Sequence, residues 1–348
     1  MKNHPRHQGV SRVAVCIVLL AGCDARTATA EVDGSWEPLS SMNFARQEVG
    51  AARIGDVVYV VGGLTGVGSQ ATDTVEVYDI ANDQWSFVAP LPQPRHHVAV
   101  AAHGGLLFVM GGYPSGSFQA RAEVFVYDPQ EDSWSIGAPL PSARGACWGV
   151  ALNDRIYVFG GVDGASIVRA TTLIFDPVAD EWTTGADMPT AREHLTASAG
   201  GELIHVIGGR NGSSTNVHEA YDPALDQWET LAPMPTARSA PAQATFAGRI
   251  FVAGGEIPQL FAIHEVYDIA TDTWDVAPSM PIPRHGIAAV PLDDGILYPG
   301  GGVIQGLDPT VIVDSFVPSM DPAPAASTWG LILLALTITS FATILIRR

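Results

Sequence analysis

RHHVAVAAHGGLLFVMGGYPSGSFQARAEVFVYDPQEDSW, residues 95–134, is one turn of a repeat and decides the fold. Arg95 opens a strand that runs through Ala102, and a turn at Gly104-Gly105 leads into the apolar run 106–110. Gly111-Gly112 stops that run. After a loop, residues 123–127 form a third strand, Asp128-Pro129 turns the chain, and a fourth strand lies around Trp134. Short β-branched and aromatic runs bounded by Gly, Pro and Asp read as strands joined by tight turns. Four strands with three connections predict one antiparallel sheet.

The same markers recur along the chain. Paired glycines stand at 62–63, 111–112, 160–161, 208–209, 254–255 and 300–301, in steps of 49, 49, 48, 46 and 46 residues. Tryptophans at 36, 85, 134, 182, 228 and 274 keep the same five steps. Aromatic residues (Tyr78, Tyr127, Phe175, Tyr221, Tyr267, Phe316) hold a third register, and Asp83, Asp132, Asp180, Asp226 and Asp272 a fourth. The large rings are expected to fill the space between neighbouring sheets. The aspartates are expected to cap tight hairpins, which accounts for them without calcium.

A period near 50 with glycine pairs and register-matched aromatic residues resembles the kelch repeat, and the likeness spans residues 31–318. It implies an all-β, six-bladed propeller with four antiparallel strands per blade. Trp36 precedes the first glycine pair, and the last pair is followed by 311–316 but by no tryptophan in the domain. The ends are complementary. Residues 32–37 are therefore expected to supply the fourth strand of the sixth blade beside 311–316, which removes an open sheet edge.

Composition narrows the function. The chain has 348 residues and a net charge of −18; residues 31–318 hold 34 Asp or Glu against 12 Arg and no Lys. Phosphate binding needs clustered cations, so no nucleic-acid partner is expected. Of three cysteines, only Cys147 falls in the domain, so no internal disulfide forms.

Both ends read as addresses. Residues 1–30 carry Lys2, Arg6 and Arg12 ahead of an apolar run, the pattern of a signal peptide. The run ends Leu20-Ala21-Gly22-Cys23, which resembles a bacterial lipobox and makes Cys23 a lipidation candidate; Ala28-Thr29-Ala30 offers a second cleavage point. Residues 319–328 read as a Pro/Ala/Ser linker. Residues 329–348 read as a transmembrane or sorting segment closed by Arg347-Arg348, long enough to span a bilayer. This tail resembles the PEP-CTERM and IPTL-CTERM classes of bacterial surface proteins. The expectation is an exported protein of the cell envelope or surface, held by the C-terminal helix and by a lipid if Cys23 is acylated, with a monomeric propeller outside the cytoplasm.

Candidate binding residues gather at one rim. Arg46, Arg95, Arg144, Arg192, Arg238 and Arg284 repeat at the start of each blade. Six identical residues suit a structural task, hydrogen-bonding the backbone between blades, although charge-assisted ligand contact is the alternative. The residues that follow them vary: Gln47 and Glu48, His96 and His97, Gly145, Glu193 and His194, Ser239, His285. Variation at a fixed rim position is what a grafted site looks like. Histidines and a glutamate there could hold a metal, but they come from different blades and show no local ligand spacing, so no metal is assigned.

No catalytic residue or cofactor is expected either. Kelch oxidases carry copper with a tyrosine cross-linked to cysteine, and Cys147 has no tyrosine motif beside it. The reading is a binding module that presents its loop rim to a protein or glycan at the cell surface. The runner-up is a carbohydrate-active propeller enzyme resembling sialic acid mutarotases, with Glu48, Glu193 and His194 available for acid–base work.

Overall fold

In the computed structural model, residues 32–66 and 70–319 are described. They form six four-stranded antiparallel sheets. The first blade comprises Gly50–Ile54, Val57–Val61, Val75–Asp79 and Gln84–Phe87, paired in that order from the inside outward. The inner strands of neighbouring blades touch around the whole circle, the sixth meeting the first. This is the six-bladed propeller that the repeat implies.

Closure follows the expected route. In the last sheet, Gly34–Pro38 lies outermost against Val313–Pro318, with Trp36 opposite Phe316. Small shifts apply elsewhere: the strand expected to begin at Arg95 begins at Ala99. Residues ahead of it turn toward the axis, where His97 adopts φ 54° and leaves the pleat.

The repeated residues join one blade to the next. Each register tryptophan donates its indole N–H to a carbonyl just past the preceding blade's outer strand, at 2.7–2.9 Å: Ser40, Ala89, Ala138, Ala186, Ala232 and, for Trp36, Pro278. The turn aspartates Asp83, Asp132, Asp226 and Asp272 accept from the tyrosine hydroxyl of their own blade and from a backbone N–H of the blade before. These aspartates stitch blades rather than cap their own hairpins, which corrects the expectation; the turns are capped four residues earlier by Asp79, Asp128, Asp176, Asp222 and Asp268, whose Oδ1 accepts backbone N–H groups two or three residues on. The second glycine of each pair donates its N–H to the carbonyl of the next blade's arginine, as Gly255 does to Arg284 at 2.8 Å. At Gly254, φ is +66° and a Cβ would lie 2.4 Å from that carbonyl, so only glycine fits.

The six arginines work within their own blades, which corrects the expectation of bonds between blades. Arg46 donates to the carbonyls of Val60, Gly62 and Thr74 and pairs with Glu76 at 2.9 Å. Arg192, Arg238 and Arg284 pair likewise with Glu219, Glu265 and Asp314. Arg144 meets Thr171 instead of an acid. In four blades the guanidinium ties the second strand to the third, as Arg192 does through the Val206 carbonyl and Glu219; Arg95 and Arg144 bond instead to residues just ahead of the blade and of its third strand.

The expected signal peptide, Cys23 and the segment 329–348 lie outside the described residues, as does all of the expected linker except Ser319. Among the described residues, no helix is long and apolar enough to cross a membrane.

Candidate functional site

Two residues past each arginine, the chain reaches the axis. Glu48, His97, Ala146, His194, Ala240 and Gly286 all have φ between 48° and 59°. That turn aims each N–H at the blade before. His97 donates to the Glu48 carbonyl, Ala146 to His97, His194 to Ala146, Ala240 to His194, Gly286 to Ala240 and Glu48 to Gly286. Six backbone hydrogen bonds thus close a ring at the throat of the propeller. The repeat dictates the backbone and leaves the side chains free to differ.

Two further registers flank the ring. The residue after each arginine bridges to the residue after each glycine pair: Gln47 with Leu64, His96 with Tyr113, Gly145 with Val162, Glu193 with Arg210, Ser239 with Glu256 and His285 with Gly302. Seven of these residues, together with Glu48, His97 and His194 of the ring, Phe118 and other loop residues, line an axial basin of about 400 Å³. A throat of about 30 Å³ continues beneath it, at the level of the ring. On the far side, a channel of about 330 Å³ is lined mostly by Ala, Val and Gly of the inner strands. Ionisable side chains concentrate at the basin end.

Three carboxylates and one guanidinium set the charge there. Glu193 accepts from Arg210 Nε at 2.5 Å and from His194 Nδ1. Arg210 also reaches Glu256 at 3.3 Å and His194 Nε2 at 3.2 Å. Burial works to raise the Glu193 carboxyl, but the His194 hydrogen bond and the His194 and Arg210 charges outweigh it and hold the pKa below its usual value. Burial would lower the Arg210 pKa, yet the Glu193 and Glu256 charges raise it.

The histidines interlock. His97 Nε2 lies 3.0 Å from His194 Nε2 and 3.3 Å from Glu48 Oε2, while its Nδ1 lies 2.5 Å from His96 Nδ1. Burial first, then the nearby His194, His96, Arg210 and His285, pushes the His97 pKa well below 6.5. Burial also pushes His96 down to about 4. Tyr113 covers this pair, its ring seated where Gly145 has no side chain: a Cβ there would lie 2.4 Å from the tyrosine Cζ. Phe118, 64% exposed, packs beside Tyr113 at the mouth.

The expected site residues therefore divide. His97, Glu193 and His194 line the basin. His96 lies buried behind His97, and His285 is buried with Nε2 3.8 Å from Glu48 Oε1 and 3.7 Å from Glu256 Oε2. All six arginines leave the set of candidate ligand contacts, because each is at most 2% exposed and turned into its blade. Cys147 is buried, and burial pushes its thiol up to about 11, which leaves it protonated and unreactive. Tyr113, Phe118, Arg210 and Glu256 join the site. Their signal was present: Arg210 and Glu256 are the charged exceptions in a register otherwise held by Leu64, Tyr113, Val162 and Gly302.

A family model described as the KLHDC2/KLHL20/DRC7 Kelch-repeats domain matches residues 48–255, and one described as the Kelch motif matches residues 237–281. No curated protein matches the chain. Among solved structures, the chain is similar to one titled "Structure of YjhT", with a TM-score of 0.72 and 18% identity over 82% of this chain and 98% of that one. At that identity the likeness speaks for the fold alone.

Proposed function

From the premise that the chain belongs to the kelch-repeat family, we propose that it is a non-catalytic binding module whose axial basin takes one neutral or amino sugar of a glycan. The observation that carries this reading is the basin itself. Its volume of about 400 Å³ suits a small polar ligand rather than a protein surface. Glu48, Glu193, Glu256 and Arg210 supply acceptors and donors for hydroxyl groups, and the exposed Phe118 beside Tyr113 offers an apolar face for a sugar ring.

Charge selects among sugars. Three carboxylates against one guanidinium give these groups a formal charge of 1 − 3 = −2. An acidic sugar would meet like charge; an amino sugar would not. This weighs against the alternative of an isomerase acting on sialic acid. The depressed Glu193 carboxyl also makes a weak base near neutral pH. The setting is proposed to be outside the cytoplasm, on the strength of the leader at 1–30 and the tail at 329–348.

The test is a glycan array probed with the full chain, alongside NMR of anomer exchange in sialic acid. Retention of neutral or amino glycans, lost in Glu256→Gln and Arg210→Ala, is expected. Retention of sialylated glycans alone, or anomer exchange accelerated by the wild type and not by Glu193→Gln, would overturn the reading.

A further inference from the structure

We propose that Glu48, His97 and His194 bind a divalent transition-metal ion such as Zn2+ on the propeller axis, at the floor of the basin. The three residues come from three blades, and one ligand atom of each lies within 4.8 Å of the others. Bonds of about 2.0–2.1 Å to a tetrahedral ion place neighbouring ligand atoms roughly 3.3 Å apart. The spacings from His97 Nε2 are 3.0 Å to His194 Nε2 and 3.3 Å to Glu48 Oε2.

The contacts made from outside leave one nitrogen of each ring pointing in. His194 Nδ1 faces Glu193, and a carboxylate can only accept, so Nδ1 carries a proton, while Nε2 accepts from Arg210 Nη2 at 3.2 Å. His97 Nδ1 is engaged by His96 Nδ1 at 2.5 Å, so its Nε2 is the nitrogen that faces His194 and Glu48. Two imidazole nitrogens and a carboxylate oxygen therefore converge, which suits a cation.

Two observations beyond the triad agree. His285 is fully buried and gives its Nδ1 proton to the Gly302 carbonyl, while its Nε2 has no hydrogen-bond partner beside Glu48 and Glu256. The charge of −2 carried by Glu48, Glu193, Glu256 and Arg210 equals the opposite of one divalent ion. Outer partners are also in place: Glu193 orients His194, and His96 orients His97, as ligating histidines require. Arg210 Nη2, 3.2 Å from His194 Nε2, must withdraw when metal binds; its contacts with Glu193 and Glu256 hold it in reserve. Since Glu48, His97 and His194 border both basin and throat, the remaining coordination position opens to the basin.

The claim stands whether or not the basin binds a sugar. Full chain stripped with a chelator is titrated with Zn2+ by calorimetry and with Co2+ by visible absorption. One equivalent should bind, with the intense d–d bands of low-coordinate Co2+. Affinity should fall by at least about 100-fold in Glu48→Gln and in His194→Ala, and by about 10-fold or more in Glu193→Gln, where only an outer partner is lost. Circular dichroism checks that each variant folds. Unchanged affinity in a folded triad variant overturns the proposal. If a variant does not fold, the wild type decides: no uptake of Zn2+, or only the weak bands of six-coordinate Co2+, refutes the site.

Discussion

Trp36 closes the ring without a covalent link to the strand it covers, so replacing it tests the closure directly. Its indole N–H donates to the Pro278 carbonyl at 2.7 Å, and its ring lies 5.1–5.3 Å from those of His264, Tyr298 and Phe316. Trp36→Ala removes that packing and leaves a carbonyl unpaired, at a cost of about 3–5 kcal/mol. At about 2 °C per kcal/mol for a domain of this size, Tm should fall by about 6–10 °C. Trp36→Phe keeps most of the ring contact and loses the N–H, so it should cost about 1–2 kcal/mol. Trp134→Ala is the comparison. It breaks an equivalent bond, to Ala89 at 2.8 Å, but its strand stays joined to the rest of its blade by a hairpin. Both alanine variants should melt early in calorimetry, and only Trp36→Ala should also elute as aggregate, because loosening its strand uncovers the edge at Val313–Pro318. A Tm within about 2 °C of the wild type for Trp36→Ala would refute the closure argument.

Two further predictions concern stability. Buried His205, His218 and His264 have pKa values pushed down, chiefly by burial, to about 4, 3 and 3. They stay neutral in the fold and become charged in the unfolded chain near 6.5. Stability from them is present above that value and is lost as pH falls below it, by about 2 kcal/mol per group between pH 7 and pH 5. Tm measured across that window should drop, and His264→Phe should flatten the slope; a flat wild-type profile contradicts the burial. Arg238→Met strands the Glu265 carboxylate, both partners being at most 1% exposed, and should cost about 3–5 kcal/mol in urea unfolding. Adding Glu265→Leu should recover at least half of that loss, and a double variant no more stable than the single would show that the pair is not what Arg238 serves.

The ring was legible early because its markers serve joints that repeat. Trp, Asp-x-Trp and Gly-Gly meet the neighbouring blade in the same way each time, so identical chemistry recurs at a fixed interval. Arg46 and its five counterparts repeat because the same place inside each blade recurs, but repetition does not say which way a side chain points. Only the fold places those guanidinium groups inside the blades. The basin was harder to see because its residues differ from blade to blade. Tyr113 and Arg210 sit in loops that the sequence marks as docking rim without ranking their members.

Blade number, strand order within a blade and the pairing of Gly34–Pro38 with the far end are therefore properties of the sequence, since local turns and a constant period encode them. The convergence of Glu48, His97 and His194 belongs to the tertiary structure alone. These residues are 49 and 97 positions apart, and no local spacing links them. What brings them together is the closed circle of backbone hydrogen bonds at the axis, which exists only once every blade is in place.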